Sequence, residues 1–116
     1  MTMRELAQLR YLRREIERER EELAERVRER PASAAHAAET AETCGRIAVR
    51  LEQHIAERDR LEAYIAAVPD SLTRQAFILW FSDGLSWRAV AYRIGGGNTA
   101  DGMRMLCVRY LQRNSG

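Results

Sequence analysis

The chain has 116 residues, 46% of them hydrophobic and 31% charged, which suits one domain or one small domain with a helical extension. Formal net charge is +2, and no apolar run approaches the roughly 18 residues of a membrane span. The N-terminus has no signal-peptide core either, so the expectation is a cytoplasmic protein without a membrane partner. Every cation is Arg and none is Lys. Because that bias runs along the whole chain, a GC-rich genome explains it better than function does. The charge is nonetheless uneven. Residues 71–116 hold six Arg against two acids, whereas residues 31–70 hold four Arg against seven. The positive excess at the C-terminal end fits a polyanionic partner.

Residues 3–30 contain strong helix formers and no Gly or Pro. Leu6, Leu9, Leu12, Ile16, Leu23 and Val27 recur at three- and four-residue steps, which makes one apolar stripe. Glu19 and Arg20 interrupt it, a device that can set register or partner choice at a cost in stability. Glu15 and Glu19 repel at four-residue spacing, while Glu22 and Arg26 attract. A helix of this kind needs a partner helix from the same chain or from another.

Pro31 breaks the pattern. Residues 32–38 are a loop or the first turns of the next helix, with Ser33 available as a cap. From Glu39 a second stripe runs through Cys44, Ile47, Ala48, Leu51, Ile55, Leu61, Ile65 and Val68, broken at Arg58. Gly45 either lets another helix come close or is tolerated at about 1 kcal/mol relative to Ala. An antiparallel hairpin is the simplest way to bury both stripes, and a homodimer through these helices buries the same faces between two chains. The expected fold is all-α: a long, coiled-coil-like N-terminal hairpin over residues 1–68, then a small three-helix bundle over 69–116.

Pro69 ends the second helix. Asp70 or Ser71 then caps a third, from Leu72 to about Ser82, with Leu72, Ala76, Leu79 and Trp80 on one face and Phe77 and Phe81 beside them. Asp83-Gly84 closes it. Phe77, Trp80, Phe81, Trp87 and Tyr92 are five of the chain's eight aromatics. Their helical spacing predicts a small core and not a base-stacking platform.

Residues 84–113, GLSWRAVAYRIGGGNTADGMRMLCVRYLQR, have the layout of a helix-turn-helix. Ser86 caps a helix whose apolar face is Trp87, Val90, Ala91 and Ile94. Three glycines stop it. Asn98 or Thr99 caps the next helix, Asp101 suits its positive end, and Met103, Leu106, Cys107 and Tyr110 form its buried face. Ala91 and Gly95 match the common helix-turn-helix pattern. The apolar positions that follow would be Asp101 and Arg104. Lengthening the turn by two residues, Gly96 and Gly97, moves them to Met103 and Leu106.

With the preceding segment LEAYIAAVPDSLTRQAFILWFSDGLSWRAVAYRI (61–94), the chain resembles a family of short phage and prophage proteins. Their C-terminal half is similar to the upstream-promoter-reading region of sigma factors and follows a helical segment. Ile65, Val68, Asp70, Arg74, Leu79, Phe81, Gly84, Ser86, Trp87 and Ala91 carry the likeness, which extends over about residues 44–112. Where that family tends to carry a basic residue before its aromatic, this chain has Trp80. The resemblance implies a transcription regulator that binds double-stranded DNA, with RNA polymerase as a further candidate partner.

On this reading residues 99–109 enter the major groove. Arg104 reads a base edge, Thr99 and Met105 add hydrogen-bond or thymine-methyl contacts, and Asp101 accepts from a cytosine amino group. Ser86, Arg88, Arg93, Arg109 and Arg113 rest on phosphates, and Trp87 belongs to the same surface. The alternative is a structural or oligomerising phage protein, small-terminase-like or polymerase-docking, with a weak or degenerate DNA-binding module. Catalytic and cofactor residues are not expected. Gly95–Gly97 follow a helix and lack a following Lys-Ser/Thr, so no phosphate loop is present. No Ser/His/acid or Cys/His set can be proposed from spacing. His36 and His54 have no Cys or carboxylate at metal-ligand spacing. Cys44 and Cys107 read as buried, reduced thiols.

Overall fold

The computed structural model describes residues 1–114. It is all-α. Two long helices, α1 (Met3–Arg28) and α2 (Ala34–Ala66), precede three short ones, α3 (Ser71–Phe77), α4 (Trp87–Ile94) and α5 (Ala100–Arg113). There is no strand among the described residues. The chain forms two compact units, Met1–Tyr11 with Asp59–Gly116, and Leu12–Arg58. The division therefore cuts both long helices, whereas the sequence pattern places a boundary at Pro69.

The first unit explains that difference. A three-helix bundle of about 46 residues lies near the lower size limit for an independent core. Here α3, the turn that follows it, α4 and α5 contribute Phe77, Phe81, Val90, Met103, Cys107 and Leu111 to the interior. The start of α1 and the end of α2 add Leu6, Leu9, Leu61, Ile65 and Val68, all buried. Phe77 packs against Phe81 (5.4 Å between centroids) and edge-on to Tyr110 (5.7 Å). Burial pushes the Cys107 thiol up to about 12, so it is an inert packing group.

Three expectations change in this unit. The buried face of α3 centres on Thr73, Ala76 and Phe77, and Leu72, Leu79 and Trp80 are only half-buried. For Leu79 and Trp80 the reason is that α3 does not continue as an α-helix. Residues Ile78–Ser82 form a π-helical turn, and the Asp83 N–H reaches back to the Ile78 carbonyl. The wider turn rotates the residues after Phe77 relative to an α-helical stripe. Tyr92, expected in the aromatic core, is 88% exposed, because α4 buries Val90 and Ala91 and turns position 92 outward.

Asp70 is the cap of α3. Its Oδ2 accepts from the Thr73 hydroxyl (2.6 Å) and the Thr73 N–H (3.0 Å). Arg74 returns to the end of α2 and donates to the Val68 carbonyl at 2.8 Å. Together these bonds fix the sharp change of direction at Pro69.

The second unit is an antiparallel pair made of the remainder of α1 and α2. The Ser33 hydroxyl accepts from the His36 N–H at 3.1 Å, which starts α2 at Ala34. Only Leu12, Ile16 and Ile47 are buried apolar residues here, with Glu19 among them at 7% exposure. Further along the pair Leu23 is half-buried and Val27 is 70% exposed. Glu22 pairs with Arg26 at 3.4 Å, as the spacing predicts. A Cβ at Gly45 would meet nothing within 4 Å, so close helix approach is not its role.

The Tyr64 hydroxyl is buried without a hydrogen-bond partner, and burial, then the neighbouring Tyr110, push its phenol up. Tyr64→Phe removes an unsatisfied polar group, so stability should rise by roughly 1 kcal/mol in urea denaturation. The bonds from Thr73, side chain first and backbone second, hold the Asp70 carboxyl below its ordinary value of 3.8. Its stabilisation is present above that value and is lost as pH falls through the lowered native one. Asp70→Asn should flatten that part of the acid limb in denaturation curves taken between about pH 5 and pH 2.

Candidate nucleic-acid interface

Helices α4 and α5 are joined by residues 95–99. Ser86 caps α4, its Oγ accepting from the Ala89 N–H at 3.1 Å. Gly95 ends that helix with φ 74° and ψ −154°, a combination for which only Gly is suited. Gly96 and Gly97 also have positive φ, 66° and 78°. The Asn98 side-chain amide closes the turn on the Gly95 carbonyl at 2.7 Å. Of the two candidate caps, Thr99 starts α5, its Oγ1 accepting from the Gly102 N–H at 3.0 Å.

That cap accounts for Gly102. A Cβ at this position would stand 2.9 Å from the Thr99 Oγ1, so a side chain would push the capping hydroxyl aside. Glycine here preserves the start of the helix, and it leaves bare backbone on the exposed side of the first turn.

The exposed side of α5 follows from its core side. Met103, Cys107 and Leu111 are buried. The opposite side therefore carries Asp101, Met105, Arg109 and Gln112 at helical spacing, with Arg104 and Arg113 at the flanks. Arg104 donates to Asp101 Oδ1 at 3.2 Å and lies 3.4 Å from the Met105 sulfur. The Arg104 side chain is 47% exposed and that of Asp101 80%, so the pair is an ordinary i,i+3 surface contact worth a few tenths of a kcal/mol. Thr99, Arg109 and Arg113 are exposed, and Met105 is half-buried.

On α4, Arg88 lies in the first turn and Arg93 in the last, both exposed. Tyr92 lies between them, one turn after Arg88, and joins them on the outer surface. Sequence periodicity missed it by counting all the aromatics as core. Trp87 stands apart from the other expected contact residues, because its ring stacks on Trp80 at 4.1 Å and 10°.

This stack belongs to a brace that no sequence pattern indicates. The Arg10 guanidinium lies 4.3 Å from the centroid of Trp80. It occupies the ring face away from Trp87, since two such groups are too bulky to share one. Its Nε and Nη2 both donate to the Trp80 carbonyl, at 3.0 and 2.7 Å, and Nη2 lies 3.4 Å from the Leu85 carbonyl. The π-helical turn frees the Trp80 carbonyl, because the Leu85 N–H bonds to Leu79 instead. Gly84, with φ 71°, lies under the Arg10 side chain.

No family model, no curated protein and no solved structure matches this chain. No helix among the described residues is long and apolar enough to cross a membrane.

Arg10→Ala removes a cation–π contact and a forked charge-assisted bond, and should cost about 2–4 kcal/mol. Arg10→Lys should recover only part of this, because an ammonium lacks the planar fork. Denaturation followed by tryptophan fluorescence measures both, since Trp80 and Trp87 report the stack directly.

Proposed function

We propose that the protein binds double-stranded DNA in a sequence-specific manner, with α5 lying in the major groove. The observation that carries this reading is the exposed side of α5. It presents Arg104, Arg109 and Arg113 on a helix braced from behind by α3 and α4. The acids among residues 71–116 are two, and one of them, Asp101, already contacts Arg104.

Arg104 is the base-reading residue in this proposal. Its fork suits the O6 and N7 acceptors of guanine, and its weak contact with Asp101 is readily exchanged for a base edge. Thr99 and Met105 flank it along the groove, and the bare backbone at Gly102 allows close approach. Ser86, Arg88, Arg93, Arg109 and Arg113 are placed to set the register on phosphates. Tyr92, exposed between two arginines, adds a phenol to that set. Trp87 supports the surface from below through its stack and does not itself contact DNA.

The resemblance to phage and prophage proteins with a sigma-factor-like C-terminal half supports a regulator of transcription within this DNA-binding class. RNA polymerase is then the natural protein partner, and pairing through α1 and α2 would give a dimer that reads two half-sites.

Selection from a random-sequence DNA pool should enrich a motif, whose symmetry reports the number of reading modules. With about four phosphates engaged, the slope of log affinity against log salt should be about −3.6. Arg104→Ala should lose roughly 1–3 kcal/mol of affinity and relax the preference at one position. Affinity independent of salt, or no enriched motif, would reject the proposal in favour of a helical assembly or polymerase-docking protein.

A further inference from the structure

We propose a zinc-class divalent metal site in the second unit, formed by Glu15 and Glu19 of α1 and His54 of α2. Their ligand atoms all lie within 4.8 Å of one another. The His54 Nδ1 is 2.6 Å from Glu19 Oε1 and 3.6 Å from Glu15 Oε1. Ligands at about 2.0–2.2 Å from a tetrahedral zinc stand a little over 3 Å apart, so the three groups reach that geometry through small side-chain movements.

The state of Glu19 points to a ligand. Its side chain is only 9% exposed, and its second oxygen, Oε2, is buried without a hydrogen-bond partner. The His54 ring nitrogen meets one oxygen of Glu19 and leaves Glu15 beyond hydrogen-bond distance. Two carboxylates four residues apart on one helix repel each other, yet both converge on the same ring nitrogen. A divalent cation neutralises both and takes up the unpaired oxygen.

The same residues line a cavity of about 260 Å³, enough for a cation and the waters that complete its coordination. Arg18, Glu22 and Arg50 complete its wall. Both arginines are exposed. One imidazole with two carboxylates selects zinc-class ions over magnesium and calcium, which take oxygen ligands. The metal would clamp α1 to α2 where only Leu12, Ile16 and Ile47 are buried apolar residues. This makes the site a conformational staple and not a catalytic centre. It does not depend on the DNA-binding proposal.

Zinc titrated into the full chain by calorimetry tests the site, with Cys44→Ser and Cys107→Ser introduced together to remove thiol ligands. The expected result is one zinc per chain, a rise of about 5 °C or more in melting temperature at saturation, and no response to magnesium. His54→Gln, which keeps a hydrogen-bonding side chain, should weaken zinc binding at least tenfold with helicity by circular dichroism unchanged. If that variant fails to fold, Glu15→Gln should give the same weakening, since the Glu15 side chain is 46% exposed. No zinc binding, or binding that these substitutions leave unchanged, overturns the site.

Discussion

The Arg10 guanidinium holds the first unit together at the point where α3 gives way to α4. It covers one face of Trp80, while Trp87 covers the other, and it donates twice to the Trp80 carbonyl. Each part depends on the others. The π-helical turn releases the carbonyl, the carbonyl and the ring together fix the guanidinium, and the ring positions Trp87 in the first turn of α4. Since α4 packs against α5, the orientation of the exposed arginine surface depends in part on this half-buried contact. A three-helix bundle of this size has little core of its own, and the brace adds to what the ends of α1 and α2 supply.

The turn between α4 and α5 solves a different problem. Two helices must be joined closely enough to pack together, with Val90, Ala91, Met103 and Cys107 all buried. The chain does so with three consecutive residues in the left-handed half of backbone space. Gly95 provides the conformation, Asn98 locks it by bonding the Gly95 carbonyl, and Thr99 starts α5. Gly102 then keeps the space that the Thr99 cap needs. Each of these four residues has a local reason, so the five-residue turn is specified by its own chemistry as well as by the packing around it.

The second unit has the opposite character. Its helices form from propensity and capping, but few apolar side chains hold the pair together, and a buried acid meets a half-buried imidazole between them. Such a pair is sensitive to whatever meets the buried Glu19 carboxylate.

Composition, periodicity and capping residues determined the helical class, the five helices and most of the exposed arginine surface. Those properties are local: an apolar stripe, a proline, a glycine run and a capping hydroxyl act within a few residues. The lengthened turn was legible for the same reason, because shifting the pattern by two residues places Met103 in the core. What only the tertiary structure decided are contacts between distant residues. Arg10 meets Trp80 across seventy residues, and Glu19 meets His54 across thirty-five. Neither pair leaves a mark on periodicity, since an Arg beside an apolar stripe reads as solvated surface and a Glu within one reads as an interruption. The π-helical turn and the outward Tyr92 also escaped the pattern. A one-residue widening of a helix rotates every later side chain, and only packing against the rest of the unit selects it.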